Sequence, residues 1–412
     1  MPINQTSLVN QIQSLSPGLA RYRDRQRREL PQAVEQYRQA TRENWPNLQQ
    51  LARARQAAAL PVEALHFHRN LAGMESPASF VVVATDGSAI PPDRHGGMAF
   101  CYVLNISEIA LGYGEQYLAH IEPSTRFYLD GVRVALPASD ASLAGPENGE
   151  TEEKVDPQTG EILSADATTA SDAAFTAMAG DPESDEEGQG SALMLDARMS
   201  VEELVVALRL AKEFGATTAL RDGPLTLWAS SILNTKEGKA LTTRYLGLVD
   251  RFTQAGVPVI GYTSNPRSDV VITALRSMLG NEEAYRGLVD AELFWQVLQL
   301  GECSPVFRHS ARHPKDTALT EKIYFMYLRT EDEIARLEFS KDWLGTLELN
   351  AALSIVWQQI RLGQGYPVAL MEAHECAVLR GSDREVLRVL LEDYGLTGQE
   401  SQKGLSKRLR GI

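Results

Sequence analysis

The sequence predicts a mixed-sheet α/β domain with helices on its faces, preceded by a helical N-terminal region. Three observations predict it. The stretch from about Ser7 to Leu60 is rich in Arg, Gln, Glu and Ala with spaced Leu, Tyr and Val, which is a helical composition. From Phe80 the pattern changes to short apolar runs that end in turn residues, as strands do. Beyond about residue 190, such runs alternate with stretches whose apolar residues recur at helical spacing.

Taken in order, FVVVATDGS reads as a buried central strand beginning at Phe80. MAFCYVLNIS and EIALGYG read as two neighbouring strands with a turn near Ser107 and Glu108, completing a meander. SVEELVVALRLAKEFG reads as a helix capped by Ser200 and closed at Gly215. TTALRDGPL is the next strand, a helix follows to about Gly256, and VPVIGYTSN is a later strand that delivers a polar loop. Further helices are expected around Ser268–Leu279 and Asp290–Leu300. KIYFMYLRT and EIARLEFS read as a hairpin, and the remainder, from Trp343 to Leu396, as helical. The expected division is a helical region over 1–75, an α/β domain over 76–137 and 191–412, and an insertion over 138–190.

That insertion accounts for most of the charge. The 412-residue chain has a net charge of −14. Between Ala138 and Gly190 there are 14 acidic residues against Lys154 alone, which leaves about −1 for everything else. Net acidity therefore does not exclude a nucleic-acid partner. The insertion is poor in aromatic and branched apolar residues and is expected to be disordered. No apolar run approaches the ~20 residues that span a bilayer. The start, MPINQTSLVNQIQSL, lacks the features of a secretory leader, so a cytoplasmic protein with no membrane association is expected. Cys101, Cys303 and Cys376 are widely separated, which suggests neither a zinc site nor a disulfide framework.

Two strands end in Asp-Gly, at Asp86-Gly87-Ser88 and Asp222-Gly223-Pro224. Side chains at the carboxyl ends of strands in an open α/β sheet meet at one edge. Asp-Gly is also a common turn dipeptide, and Asp130-Gly131 in RFYLDGVRV reads as a hairpin turn. Carboxylates crowded at a sheet edge repel unless a hard cation lies between them, and Mg²⁺ or Mn²⁺ suits such ligands. Two such ions about 3.5–4 Å apart activate a water and stabilise the leaving oxygen in phosphodiester cleavage.

VVVATDGSAIPPDRHGGMAFCYVLNI, the Glu-bearing helix before LRDGPL, and GYPVALMEAHECAV resemble NurA, the nuclease that partners the hexameric HerA translocase in prokaryotic DNA end processing. The resemblance runs from about Phe80 to Leu391, apart from the acidic insertion. It implies an RNase H-like core, dependence on Mn²⁺ or Mg²⁺, cleavage of single-stranded DNA and degradation of ends, a HerA-like ATPase partner, and a homodimer. Carried over by residue, it makes Asp86, Asp222, His374 and a helix glutamate the metal ligands and Tyr366 a further catalytic residue. The glutamate falls on Glu203 or its neighbour Glu202, which point about 100° apart on a helix. His374 follows Pro367, a plausible first-turn residue, by about two turns; without Tyr366 at the matching spacing it would read as a core or surface histidine. The sequence departs from the family pattern at Arg221, where an apolar residue is expected.

Other residues carry weaker signals. His95 belongs to a loop and could approach phosphate. Tyr262, Ser264, Asn265 and Arg267 follow a strand, where a DNA backbone could pass or a plain loop could lie. Arg336 and Glu338 alternate on one strand and read as an exposed ion pair. Arg21, Arg23, Arg25, Arg27 and Arg28 could line a DNA channel between two copies or form a solvated helical face. The competing functional readings are a non-catalytic RNase H-like adaptor of a DNA-translocating ATPase, and a phosphatase or nucleotide hydrolase using the same carboxylates. The second lacks support from a GxxxxGK[ST] phosphate loop. Because loop-closure entropy changes slowly with length, deleting about Ser139–Gly190 should leave a chain that folds cooperatively. Loss of the melting transition in circular dichroism would contradict this.

Overall fold

Every side chain of the FVVVAT run is buried, so the strand it forms must be covered on both faces, and this requirement sets the architecture. The computed structural model describes residues 4–42, 50, 58–92, 101–129, 132–133, 185–226, 235–279, 281, 283–309 and 321–395. The chain begins with α1 (Gln5–Arg42), then β1 (Ala59–Pro61), β2 (Arg69–Asn70), β3 (Phe80–Thr85), β4 (Gly87–Ile90), β5 (Cys101–Tyr113), β6 (Leu118–Leu129) and β7 (Val132–Arg133). Next come α2 (Asp185–Glu213), β8 (Thr218–Asp222), α3 (Lys236–Gln254), β9 (Val259–Ser264), α4 (Val270–Leu279) and α5 (Asp290–Val297). It finishes with β10 (Glu302–Cys303), β11 (Phe307–His309), β12 (Ile323–Arg329), β13 (Ile334–Ser340), α6 (Leu347–Leu362), α7 (Val368–Ala377) and α8 (Gly381–Asp393).

The strands form one mixed sheet in the order β1-β11-β12-β13-β9-β8-β3-β5-β6-β7, with β4 on β5 and β10 between β12 and β2. β8 lies parallel to both β3 and β9, and the other pairings are antiparallel. Strand alternation then sorts the core. Phe80, Val82, Ala84, Leu220 and Ile260 pack with Leu353 and Val356 of α6 and Leu370 and Ala373 of α7. Val81, Val83, Ala219 and Val259 face Leu204 and Ala207 of α2 and Tyr245 and Phe252 of α3. A mixed sheet flanked by helices, with a helix before it, is the expected α/β class and is consistent with an RNase H-like fold. Among the described residues no helix is long and apolar enough to cross a membrane.

The second half of α1 docks on the body. Ala33, Val34, Tyr37 and Ala40 are buried at helical spacing in a cluster with Ile272, Phe294 and Phe307, while Leu8, Val9, Ile12 and Leu15 nearer its start are exposed. Arg25 bonds Glu29 at 2.7 Å and the carbonyl of Glu283 at 2.8 Å. The helical stretch does not continue to Leu60: Ala59 and Leu60 pair with β11, because that strand offers an open edge.

Other expectations change in tertiary context. Residues 101–113 form one strand without a turn at Ser107 and Glu108, because β5 is hydrogen-bonded along its length to β6 on one side and to β3 and β4 on the other. Continuous ladders outweigh the local preference of two polar residues. α2 begins at Asp185, so Ser200 lies inside the helix rather than at its cap, and its hydroxyl donates to the Asp196 carbonyl at 2.9 Å. The acidic insertion lies outside the described residues as far as 184, as do His95 and the Asp130-Gly131 pair, although Leu129 and Val132 on either side of that pair are cross-strand partners.

Arg336 and Glu338 are not exposed. They are 4% and 0% accessible and pair at 2.6 Å, because α5 packs on their strand. Arg336 stacks over Phe325 at 3.9 Å. Glu338 accepts from the amide and hydroxyl of Thr226 at 3.0 and 2.9 Å, anchoring the chain just after β8. Breaking such a pair strands a buried charge. Arg336→Met should lower stability by about 3–5 kcal/mol in urea denaturation, and Arg336→Met with Glu338→Leu should lose less. Equal losses would contradict the pairing.

Candidate metal centre

The parallel register of β3 and β8 places Ala84 beside Leu220 and Thr85 beside Arg221. The next residues, Asp86 and Asp222, therefore stand side by side. They share the face of Ala84, Leu220 and Tyr262, which is the face covered by α7. After Asp222 the chain turns through Gly223 at φ +92°, a conformation that favours glycine, and the Gly223 amide donates to the Tyr262 carbonyl at 2.8 Å. Asp86 does not end its strand track. Ala84 opposite Ile109 and Gly87 opposite Ile106 keep one register across it, and the Asp86 amide donates to Ser107 Oγ at 2.8 Å.

His374 comes from α7, whose N-cap residue Pro367 has φ −61°. Its Nδ1 lies 3.0 Å from Asp86 Oδ2, and its side chain is 64% exposed. The helix is pinned at both ends. Gln359 Oε1 accepts from the Ala369 amide at 3.0 Å, Asn105 Nδ2 donates to the Ala377 carbonyl at 3.0 Å, and the Ser88 hydroxyl donates to that same carbonyl. Ligand atoms of Asp86, Asp222 and His374 all lie within 4.8 Å of one another. Two carboxylates and one imidazole at this spacing fit a divalent cation with a preference for oxygen donors.

Tyr366 donates to Asp222, and its ring meets Tyr262 edge-on at 5.2 Å. The Tyr262 hydroxyl in turn donates to Glu333 Oε1 at 3.0 Å. Burial, and then the charge of Asp222, raise the Tyr366 phenol, so it stays a proton donor. Burial, and then Asp86, raise Asp222, against the opposing bond from Tyr366.

Glu203 approaches from the opposite face of the sheet. It is 3% exposed, its Oε2 accepts from Arg221 Nε at 2.8 Å, and it lies outside the cluster of three ligand atoms. Burial pushes Glu203 up to about 7; Arg221 opposes this, while Asp86 and Asp222 add to it. Glu202 points elsewhere, bonding Arg126 and lying 3.6 Å from Arg244. Of the loop candidates, Tyr262 is buried while Ser264, Asn265 and Arg267 are exposed. In the sequence Arg221 stands out only as a departure from the family pattern, yet it is the residue that partners Glu203. The available signal was a lone cation in an otherwise apolar strand, which requires a buried counter-charge.

A mixed sheet whose adjacent parallel strands present two aspartates side by side, with an imidazole alongside, defines an RNase H-like α/β domain with a candidate metal centre. The NurA domain matches residues 80–379, and the chain belongs to the NurA family. NurA proteins are generally nucleases, and this chain has that family's role. No curated protein matches the chain.

The raised carboxyl of Glu203 has a thermodynamic consequence. Its folded value of about 7 exceeds the ordinary 4.5, so the metal-free folded state holds the extra proton between those values. The resulting stability is complete below about 4.5 and is lost as pH rises through about 7. In EDTA, the wild-type melting temperature should fall across this window more steeply than that of Glu203→Gln. Identical slopes would contradict the assignment.

Proposed function

We propose that this chain is a metal-dependent deoxyribonuclease that cleaves phosphodiester bonds by a two-metal mechanism, acting as a single-strand endonuclease and an end-degrading exonuclease. The observation that carries this reading is the convergence of Asp86, Asp222 and His374 within 4.8 Å. These three would hold Mn²⁺ or Mg²⁺, with Glu203 as the further carboxylate. When bound, the metal supplies Lewis-acid activation of water and charge neutralisation at the phosphate. Tyr366 orients the Asp222 carboxylate by donating to it, and His374, being exposed, stands where a DNA strand can reach it.

Membership of the NurA family supports DNA as substrate, a HerA-like hexameric ATPase as partner, and a role in DNA end processing and repair. We further propose a cytoplasmic homodimer with the domain plan of residues 1–75, 76–137 with 191–412, and 138–190, in which β1 and β2 of the first part join the sheet and α2 starts before the third part ends, at Asp185. The exposed start of α1 supports a contribution from that helix to assembly. Arg23 and Arg27 are exposed and available to phosphate, whereas Arg25 is engaged with Glu29 and Glu283.

The test is cleavage of labelled single-stranded DNA with Mn²⁺, alongside nucleotide and phosphomonoester controls. DNA should be cut and the controls spared. Asp86→Asn and Asp222→Asn should each lose more than about 100-fold, at or beyond the upper end of what a supporting residue contributes to a metal site. Full activity in either variant would overturn the site, and preferential hydrolysis of the controls would point to a phosphatase. A wild-type protein that binds the ATPase but never cleaves would be an adaptor.

A further inference from the structure

Arg221 is buried to 8% exposure in the sheet face under α2, and its guanidinium is engaged on all three nitrogens. Nε donates to Glu203 Oε2 at 2.8 Å, and Nη2 donates to Ser200 Oγ at 2.8 Å. Ser200 and Glu203 are three residues apart, so they present their oxygens from one face of α2. Nη1 donates to the carbonyl of Pro224, in the turn that follows Asp222. One planar group thus ties the helix carboxylate to the turn next to a strand-end aspartate.

The second oxygen of Glu203 shows where the carboxylate is aimed. A Cβ added to Gly87 would lie 2.7 Å from Glu203 Oε1, so that oxygen sits against the backbone directly after Asp86, in space that only a glycine leaves open. With Oε2 held by Arg221, Oε1 is directed at the Gly87 backbone, next in sequence to Asp86. Lysine could not reproduce this, since a single ammonium lacks the fork that meets three acceptors in one plane.

We propose that Arg221 is a positioning residue: it fixes Glu203 against the Asp86-Gly87 backbone and couples α2 to the Asp222 turn, so that a divalent cation held by Asp86, Asp222 and His374 meets a preset third carboxylate. This rests on the metal-dependent reading above.

The test is a double-mutant cycle on Mn²⁺ affinity, read from the electron paramagnetic resonance signal of free Mn²⁺ in the full-length protein, with melting curves alongside. Arg221→Gln should weaken binding by about 10- to 100-fold, the usual effect of losing a residue that orients a ligand. In a Glu203→Gln background the same change should cause no further loss. Arg221→Lys keeps the charge opposite Glu203 and serves as the folding control; it should melt near wild type yet bind Mn²⁺ as weakly as Arg221→Gln. Wild-type affinity in a folded Arg221→Lys protein would overturn the proposal. So would an equal loss with and without Glu203, which marks a merely structural role. Failure of the wild-type protein to bind Mn²⁺ would instead remove the metal centre itself.

Discussion

Two carboxylates released from adjacent parallel strands on the same side of a sheet stand about one strand spacing apart, roughly 4.8 Å. They repel, and the fold holds them there. The register of β3 on β8 imposes this, since Thr85 and Arg221 are the last paired residues and the next pair must be Asp86 and Asp222. Moving either strand by one residue would turn its apolar side chains to the wrong faces. The buried valines of β3, each contributing about 1.5–3 kcal/mol, therefore maintain a charge arrangement that is unfavourable by itself. Tyr366 and His374 on one face and Arg221 on the other offset part of it.

The two faces of the sheet divide the work. α7 brings His374 to the exposed side, and its last turn is fastened through Asn105 and Ser88 to the strands that flank Asp86. A shift of the helix that moved His374 from Asp86 would also strain those bonds. On the opposite face Glu203 is buried, with one carboxylate oxygen held by Arg221. The centre thus combines an open half, reachable by a polymer, with a closed half whose geometry is set by buried hydrogen bonds.

A second buried pair on that closed face follows the same logic. Glu338, Gly261, Arg221 and Thr85 are neighbours in adjacent strands, because the pairing places Glu338 beside Gly261, Gly261 beside Arg221, and Arg221 beside Thr85. A polar row crosses an otherwise apolar sheet. Glu338 secures Thr226 and Arg221 secures Pro224, so the one anion and the one cation of this row both restrain the segment after Asp222.

Local burial was legible from the sequence, because alternation and apolar runs report which side chains avoid water. That pattern located β3, β8, β9, the hairpin of β12 and β13 and most helices, and the family resemblance singled out Asp86, Asp222, Tyr366 and His374, which the structure brings to one place. Partnership was not legible. Asp86 and His374 are 288 positions apart, and Arg126 meets Glu202 across 76, so no window of sequence holds both members. The polar pair at Ser107 and Glu108 suggested a turn because composition cannot show that ladders run on both sides of β5. Arg336 and Glu338 suggested a surface for the same reason. The helix glutamates are adjacent and chemically identical; only the packing angle of α2 decides that Glu203 turns inward to Arg221 while Glu202 turns to Arg126. Side-chain chemistry is written in the chain, but the assignment of charge to counter-charge depends on strand register and helix rotation, and those are settled by the core as a whole.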